Sequence, residues 1–472
     1  MSAQLPHGWE STLVAEVIDG FQPGFASGEK NVEGGVPHLR MNNIGLSGAL
    51  VLDLIRTVPE RLAKPQHELK PGDVLVCTTN SGALVGKCAY FDLQGRYAFS
   101  NHLTRLRPRA ELVDGEFLRW NLWLHWKRGE FNDKCKHWVN QSTLPKDALL
   151  DTLVHLPPLP EQRRIVAKLE EVLGRVDACQ RRLAKIPVLL KRFRQSVLAA
   201  GCSGRLTADW REGNPAESYP CETIETEEEL STNWRSTSLG RLTTLVTSGS
   251  RGWAKYYAES GSTFIRAQNI NSDYLNLDDI AFVRPPVMSE GLRTRVQQHD
   301  ILVTITGANV TKAALVERPI QDAYVSQHVA LVRLKDTRLS KFVFQSVINP
   351  AHGRRQLLAA AYGQGKPGLN LENIRDVVVN LPPLAEQQEI VRRVEALFAL
   401  ADKIETRFKH ARAQVDRLTP SLLARAFAGK LVPQDPADEP ASVLLDRLQS
   451  PRTEESPQKR RNSRKELKEL RA

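Results

Sequence analysis

The chain has 472 residues, more than one hydrophobic core usually organises, which predicts two globular units with connecting segments. The formal net charge of +11 favours a polyanionic partner, although solvated surface lysines alone would give the same balance. No apolar run approaches the roughly 18 residues that span a bilayer, and the start MSAQLPHGWE has no apolar signal-peptide core, so we expect no membrane role.

The cysteines indicate a reducing compartment. None of the six forms a CxxC pair or stands at a His/Cys spacing suited to zinc. We therefore expect reduced thiols, no metal site and a cytoplasmic location.

The second half of the chain repeats the first at an offset of 225 residues. The segment Leu-Pro-Pro-Leu begins at Leu156 and again at Leu381, and Glu-Gln follows each copy after one residue. The same offset joins Trp9 to Trp234. A duplication that keeps its spacing but changes its loops predicts two similar recognition tasks on two different targets.

In chain order, the first predicted element is a globular domain over residues 1–156, which the repeat places again at 234–381. Both contain short β-branched runs, such as 73–76, 300–306 and 324–334, that Gly and Asn interrupt. Such runs predict the strands of a mixed α/β domain or a mostly β domain. The fold class is therefore α+β, with two such domains alternating with two long helices.

A long helix is predicted after each domain, over 157–206 and 382–431. Apolar residues recur at steps of four and three, which is a heptad seam over about 40 residues, or roughly 60 Å. The two seams can bury each other; alternatively, each packs on its own globular unit. The predicted seam residues are Ile165, Leu169, Val172, Val176, Leu183, Leu190 and Phe193 in the first helix, and Ile390, Val394, Leu397, Ile404, Phe408, Val415 and Leu418 in the second.

Proline and glycine mark a break and the ends of these helices. Pro187 lies inside the first seam and predicts either a kink or two abutting helices. Gly204 and Gly429 are predicted to end the helices in a left-handed conformation. The acidic, polar stretch 207–233 reads as a linker, and the C-terminal segment 432–472 ends in a charged, basic tail that we expect to be disordered from about Ser450.

The basic excess is concentrated in the second half. Residues 1–155 hold 17 basic and 17 acidic side chains, whereas residues 231–380 hold 18 and 11. The tail 449–472 adds 8 basic and 4 acidic side chains. Nonspecific affinity for a polyanion is therefore expected mainly from the second unit.

Polar residues shared by both copies are candidates for DNA contact, because Arg, Lys, Asn and Gln contact phosphates and base edges. Framework hydrogen bonding would equally keep such residues in both copies. The candidates are Arg40, Asn43, Lys87, Asn101 and His102 in the first copy, and Arg266, Asn269, Lys312, Gln327 and His328 in the second.

Residues that differ between the copies are better candidates for reading sequence. The conspicuous stretch holds Arg251, Trp253, Lys255 and Tyr256, where cations would meet phosphates and aromatic rings would stack. An aromatic patch closing a core edge is the alternative. A second variable stretch holds Gln141 in the first copy and Gln364 and Lys366 in the second.

Enzyme motifs are not found, so we predict a non-catalytic chain. The segment from Gly82 to Lys87 resembles a phosphate loop, but Cys88 stands where Ser or Thr would hold magnesium. The sequence has no GxGxxG, no HExxH and no NPP(Y/F) tetrapeptide.

The paired helix openings LPPLPEQRRIV and LPPLAEQQEIV, with the endings QSVLAAGCSGRLT and PSLLARAFAGKLVPQDP, resemble those of the specificity subunit of type I restriction-modification systems. The resemblance covers nearly the whole chain. It implies two target recognition domains that each read one half of a split DNA site, with the helices pairing as an antiparallel coiled coil that spaces them.

The resemblance also implies partners. Two methyltransferase subunits would carry S-adenosylmethionine and methylate adenine N6, and restriction subunits would use ATP and magnesium, while this chain binds no cofactor. Two other classes stay open: a self-contained methyltransferase or nuclease, and a coiled-coil adaptor that does not bind DNA.

Overall fold

The computed structural model describes residues 5–139, 141–214, 234–249, 251–271, 273–285, 290–363 and 367–449. These form two compact units: unit 1 lies within Met1–Arg182 and Ala411–Ala472, and unit 2 within Leu183–His410. Both units contain helices and sheets, which confirms the predicted α+β class. The predicted domain boundaries stay a prediction, and the basic tail from Ser450 lies outside the described residues.

The strands are short. In chain order they are β1 (Glu10–Leu13), β2 (Ile18–Pro23), β3 (Val36–Leu39), β4 (Arg56–Val58), β5 (Val74–Cys77), β6 (Thr79–Asn80), β7 (Cys88–Tyr90), β8 (Ala98–Phe99), β9 (Leu103–Pro108), β10 (Lys136–Trp138), β11 (Gln141–Thr143), β12 (Leu153–Leu156), β13 (Arg235–Ser238), β14 (Thr243–Ser248), β15 (Tyr257–Ala258), β16 (Ser262–Ile265), β17 (Ile270–Asn271), β18 (Tyr274–Leu275), β19 (Ala281–Val283), β20 (Ile301–Thr304), β21 (Ala313–Leu315), β22 (Ala323–Val325), β23 (Val329–Leu334) and β24 (Val378–Leu381).

The helices range from single turns to a 43-residue helix. They are α1 (Gly115–Lys127), α2 (Glu130–Asp133), α3 (Lys146–Leu150), α4 (Leu159–Leu183), α5 (Ile186–Cys202), α6 (Ala208–Gly213), α7 (Leu239–Leu242), α8 (Glu290–Arg293), α9 (Ser340–Ile348), α10 (Gly353–Ala360), α11 (Leu371–Arg375), α12 (Leu384–Ala426) and α13 (Ala441–Gln449).

Unit 1 is built on three small sheets and a terminal ribbon. Strands β2-β9-β5-β7 form an antiparallel sheet, and β4-β3-β8 form a second sheet in which β3 and β8 run parallel. A third sheet has the order β10-β11-β6, and β1 pairs with β12. The buried face of the first sheet packs on α1, where an apolar core includes Phe117, Leu118 and Leu122.

Unit 2 repeats this plan. Strands β14-β23-β20-β21 form the antiparallel sheet, β16 and β22 run parallel within the sheet β15-β19-β16-β22, and β13 pairs with β24. The strand β20 is buried on both faces, as the continuous apolar run Ile301–Thr304 predicts. The duplication seen in the sequence is therefore a duplication of topology.

Each unit contains antiparallel helix packing. In unit 1, Ile165 and Leu169 of α4 share one core with Leu423 and Phe427 at the end of the second long helix. In unit 2, Arg194 of α5 donates to Glu405 of α12 at 3.1 Å, and Gly201 lies against Ile390 and Val394. Each seam thus contacts a helix and also packs on globular cores, and the pairing of the two seams as a coiled coil stays a prediction.

The helix boundaries follow the sequence signals. The first long helix is divided into α4 and α5, with Pro187 in the first turn of α5, where its missing N–H costs nothing. The second long helix, α12, is continuous and carries Pro420 near its end. Gly204 and Gly429 adopt positive φ angles of 74° and 65°, the conformation that glycine tolerates best.

Part of the predicted linker is folded onto unit 2. Thr207 is fully buried, and its hydroxyl donates to Glu386 at 2.8 Å. Arg211 of α6 donates to the same carboxylate at 3.0 Å. The rest of that stretch, residues 215–233, lies outside the described residues.

Candidate nucleic-acid interface

Unit 1 carries an open groove of about 580 Å³ at one edge of its parallel strand pair. It collects three of the predicted DNA-contacting residues, Arg40, Asn101 and His102. The full lining is Phe25, Ala26, Ser27, Glu29, Lys30, His38, Arg40, Met41, Asn42, Arg56, Val58, Ser100, Asn101 and His102.

Strand topology explains why residues 60 positions apart in the sequence meet in this groove. Strands β3 and β8 are parallel, so the 3-10 turn Met41–Asn43 and the loop that starts at Ser100 leave the sheet at the same edge. The chain at Gly24 crosses so closely that a Cβ there would lie 2.3 Å from the carbonyl oxygens of Phe99 and Ser100. Glycine at position 24 is therefore required for this edge to form.

The groove has an excess of positive charge. Within the described part of the chain, no carboxylate lies within 4 Å of Arg40, Arg56 or Lys30, whereas Glu29 on the rim pairs with Arg61. Burial and the neighbouring guanidinium of Arg56 both lower the pKa of Arg40. Two uncompensated guanidinium groups at close quarters are an arrangement that an anionic ligand would relieve.

A buried histidine lies at the wall of the same groove. Burial lowers the pKa of His38, whose ring lies tilted against Phe25 with ring centroids 4.9 Å apart. Its Nε2 atom is buried and has no hydrogen-bond partner among the described residues.

Unit 2 presents the same edge with different chemistry. Arg266 follows β16 as Arg40 follows β3, but its guanidinium donates to the Asp279 carboxylate at 3.2 Å. The strand partner of His38 is Arg56 in unit 1, whereas in unit 2 Phe264 stands opposite Ala281. At this edge of unit 2, Arg266 is therefore compensated by a carboxylate, whereas Arg40 has none within 4 Å among the described residues.

The loop after β8 also has its counterpart in unit 2. Gln327 and His328 follow β22, and both side chains are exposed. The His328 ring is hydrogen-bonded to the Thr306 hydroxyl through Nδ1 and to Gln327 through Nε2 at 3.2 Å. Asn101 and His102 in unit 1, and these two residues in unit 2, are the predicted residues best placed for contact.

The aromatic and basic stretch of unit 2 separates into two groups. Trp253 is only 4% exposed and stacks on Phe264 with ring centroids 5.8 Å apart. It therefore closes the edge of a core, which was the alternative to DNA contact. Arg251 and Lys255 are exposed, and the Lys255 ammonium lies 5.0 Å from the ring centre of the partly buried Tyr256. The two cations, not the indole, face solvent.

Three of the shared polar residues are framework residues in this structure. Asn43 donates to the Val51 carbonyl at 2.8 Å and accepts from Arg40 N, and Asn269 makes the matching contacts in unit 2. The buried ammonium of Lys87 donates to the Met41 and Ile44 carbonyls, and burial lowers its pKa. Their contact with DNA stays a prediction, and the interface proposed below does not use them.

The remaining predicted contacts are dispersed. Gln141 is exposed on β11, and Lys312 is partly buried beside β21. Gln364 and Lys366 lie outside the described residues.

The predicted seam is most buried at the start of each long helix. Ile165, Leu169, Val176, Leu190, Ile390 and Val394 are buried; Val172, Leu183, Phe193, Leu397, Phe408 and Val415 are partly buried. Ile404 and Leu418 are 40% and 43% exposed. The coiled coil over the whole length therefore stays a prediction.

Sequence reasoning missed Lys30, His38 and Arg56. The variable residues selected from the sequence were those around Arg251 and Gln141, where basic, aromatic or amide side chains cluster, and these three lie outside those stretches. The pairing of His38 with Arg56 depends on the register of β3 and β4, which no local motif indicates.

A family model described as type I restriction modification DNA specificity domain matches residues 6–188 and 288–411. The EcoKI specificity subunit of Escherichia coli is 28% identical over 475 residues, which covers 96% of this chain and 97% of the relative. The EcoBI specificity subunit, also of Escherichia coli, is 32% identical over 327 residues, covering 66% and 67%.

Two solved structures share the fold. A chain from a study of complex assembly and conformational transition of the type I R-M system has a TM-score of 0.69 at 18% identity, covering 91% of this chain and 100% of that one. The HsdS subunit from Thermoanaerobacter tengcongensis has a TM-score of 0.59 at 19% identity, covering 91% and 99%.

The matched residues make up more than half of the sequence. The chain therefore belongs to the family of DNA specificity subunits of type I restriction-modification systems. None of its described helices is long and apolar enough to cross a membrane.

Proposed function

We propose that this chain recognises an asymmetric, bipartite DNA site, with one half-site read by each unit. The observation that carries the proposal is the pair of equivalent sheet edges with different chemistry. Unit 1 offers a groove with uncompensated Arg40 and Arg56, whereas the matching arginine of unit 2, Arg266, is paired with Asp279. Two readers with one framework and different polar groups select different bases.

The interface in each unit consists of the loops that leave the parallel strands. In unit 1 these supply Arg40, Asn101 and His102, and the groove beside them adds the cations Lys30, which precedes β3, and Arg56 of β4. In unit 2 the matching loops supply Arg266, Gln327 and His328, and the exposed Arg251 and Lys255 add phosphate contacts.

The long helices act as a spacer and as a platform for partners. The antiparallel contacts in each unit support a paired helical rod, although the complete coiled coil is part of the proposal. Two methyltransferase subunits, which bind S-adenosylmethionine and methylate adenine N6, dock on this rod. Restriction subunits that use ATP and magnesium join them, and the specificity subunit itself performs no chemistry.

Methylation mapping tests the proposal. A host that expresses this chain with its methyltransferase partner should acquire N6-methyladenine at a split motif with two different halves, separated by an unspecified gap and centred about one helical turn apart. A continuous or perfectly palindromic motif would refute two independent readers. Methylation by the purified chain alone would favour the self-contained enzyme, and unchanged motifs after exchange of units would favour the adaptor.

A further inference from the structure

The hairpin of β10 and β11 in unit 1 exposes two apolar side chains at its tip. Trp138 is 70% exposed and Val139 is 100% exposed. A protruding indole beside a fully exposed valine is a costly surface for a protein to keep, because the apolar area of both stays in water. Such a tip is typical of a contact that is completed by a partner.

The base of the hairpin is held firmly. Trp138 pairs with Gln141 and His137 with Ser142 across the two strands, and the His137 ring is hydrogen-bonded to the Ser142 hydroxyl at 2.9 Å. Strand β11 then pairs with β6, and Ser142 is buried. The exposed apolar tip is therefore carried on an anchored support.

This support is continuous with the basic groove. The backbone N–H groups of Thr78 and Thr79, at the start of β6, donate to the His102 carbonyl at 3.0 and 3.3 Å. His102 lines the groove, so the sheet β10-β11-β6 extends from the groove edge. Lys136 at the base of the hairpin and Lys134 just before it are exposed, and they outnumber the neighbouring exposed carboxylate, Asp133.

We propose that this hairpin tip is a DNA wedge that enters the half-site bound by unit 1. Trp138 stacks on a base that it displaces from its neighbour, Val139 fills the opened step, and Lys134 and Lys136 contact the flanking phosphates. The inference rests on the proposed DNA-binding function. The matching stretch of unit 2 carries Tyr362, which is 61% exposed, and residues 364–366 lie outside the described residues, so the wedge is assigned to the half-site of unit 1 alone.

The test uses the complex of the full chain with its methyltransferase subunits and a duplex that carries the mapped site. Trp138→Ala should raise the Kd for this duplex roughly 5- to 150-fold without changing the salt dependence, because an apolar stack releases no counterions. Trp138→Phe should restore most of the affinity. With 2-aminopurine placed along the unit 1 half-site, the wild-type complex should raise the emission at one position and Trp138→Ala should not.

Two variants serve as controls. Leu153→Ala, which removes another exposed apolar side chain of unit 1, should leave the Kd unchanged. Lys136→Ala should lower the salt slope by about 0.9 log units, the change expected for one lost phosphate contact. The Kd values are compared only between proteins whose melting temperatures equal that of the wild type.

An unchanged Kd and unchanged 2-aminopurine emission for Trp138→Ala would overturn the wedge while leaving the DNA-binding proposal intact. Loss of methyltransferase assembly in Trp138→Ala, measured by size-exclusion chromatography, would overturn it in favour of a protein-docking tip. If the wild-type complex shows no preference for the mapped duplex, the proposed function itself fails.

Discussion

Glu161 accepts a hydrogen bond from the indole Nε1 of Trp9 at 3.1 Å, and its other carboxylate oxygen is buried without a partner among the described residues. The repeat contains the same bond at the same distance, from Trp234 to Glu386. There, however, the second oxygen accepts from Thr207 and Arg211. In unit 2 both oxygens of the duplicated carboxylate therefore have hydrogen-bond donors, whereas in unit 1 only one of them does among the described residues.

The incomplete contact predicts a pH-dependent stability of unit 1. Burial raises the pKa of Glu161 in the folded state, so the folded state favours the protonated carboxyl. The resulting stabilisation is fully present below the pKa that Glu161 has in the unfolded chain, and it is lost as the pH rises through the higher pKa of the folded state. Glu161→Gln keeps an acceptor for Trp9 and removes the charge. From pH 4.5 to 8, its free energy of unfolding should rise relative to wild type by about 1 to 3 kcal/mol, measured by urea denaturation.

Glu386→Gln is the matched control. It breaks the pair with Arg211, whose carboxylate partner is completely buried, and should destabilise unit 2 by about 3 to 5 kcal/mol at neutral pH. Equal destabilisation by the two substitutions at pH 8 would contradict the assigned difference between the copies.

Arg40→Ala and Arg56→Ala should each flatten the dependence of log K on log salt by up to about 0.9, because each removes a cation with no carboxylate partner within 4 Å in the described structure. The measurement is fluorescence polarisation of the DNA complex over a salt series. Arg61→Ala, which removes a cation already paired with Glu29, is the control and should change the slope less. Slopes identical for all three would exclude the groove as a phosphate site.

Arg251→Ala combined with Lys255→Ala should weaken binding through unit 2 while base selection in the half-site of unit 1 stays the same. Both side chains are exposed, so the fold should tolerate their loss and the melting temperature should hold within a few degrees. Competition binding with duplexes altered in one half-site at a time separates the two effects. A changed preference in the unit 1 half-site would show that the readers are coupled.

One added heptad in each long helix should lengthen the gap between unchanged half-sites by about three base pairs, since seven helical residues span about 10 Å. Gln180 donates to Asp416 at 3.4 Å, so insertions after these two residues lie opposite each other. Methylation mapping reads out the new motif. Insertion in one helix alone should disrupt their pairing, and a paired insertion that leaves the gap unchanged would refute the spacer role.

The sequence predicted the duplicated architecture well because its signals are local. The break at Pro187 and the glycine ends at Gly204 and Gly429 depend on backbone conformations that single residues determine. The heptad pattern located the helices but does not give the burial of each seam position: Ile404 and Leu418 are 40% and 43% exposed. Periodicity gives the face of a helix, whereas burial depends on what lies opposite that face.

The candidate site was less predictable, because composition does not distinguish a polar side chain that meets solvent from one that closes the fold. Lys87 and Asn269 have the chemistry of DNA contacts, yet both bind backbone carbonyls within the fold. Conversely, Arg56 lies in the groove because it pairs with His38 across the two strands. These two residues are 18 positions apart in the sequence. Register and burial, which are tertiary properties, decided both cases.

The discontinuity of unit 1 has a consequence for synthesis on the ribosome. Leu423, Phe427 and Leu445 belong to its core, yet they emerge after all of the roughly 230 residues between Arg182 and Ala411. At about 5 to 20 residues per second, the nascent N-terminal part waits roughly 10 to 50 s for them. The module encoded second is therefore completed first, and a nascent chain that stalls before Ala411 exposes an unfinished apolar face that chaperones and proteases would recognise.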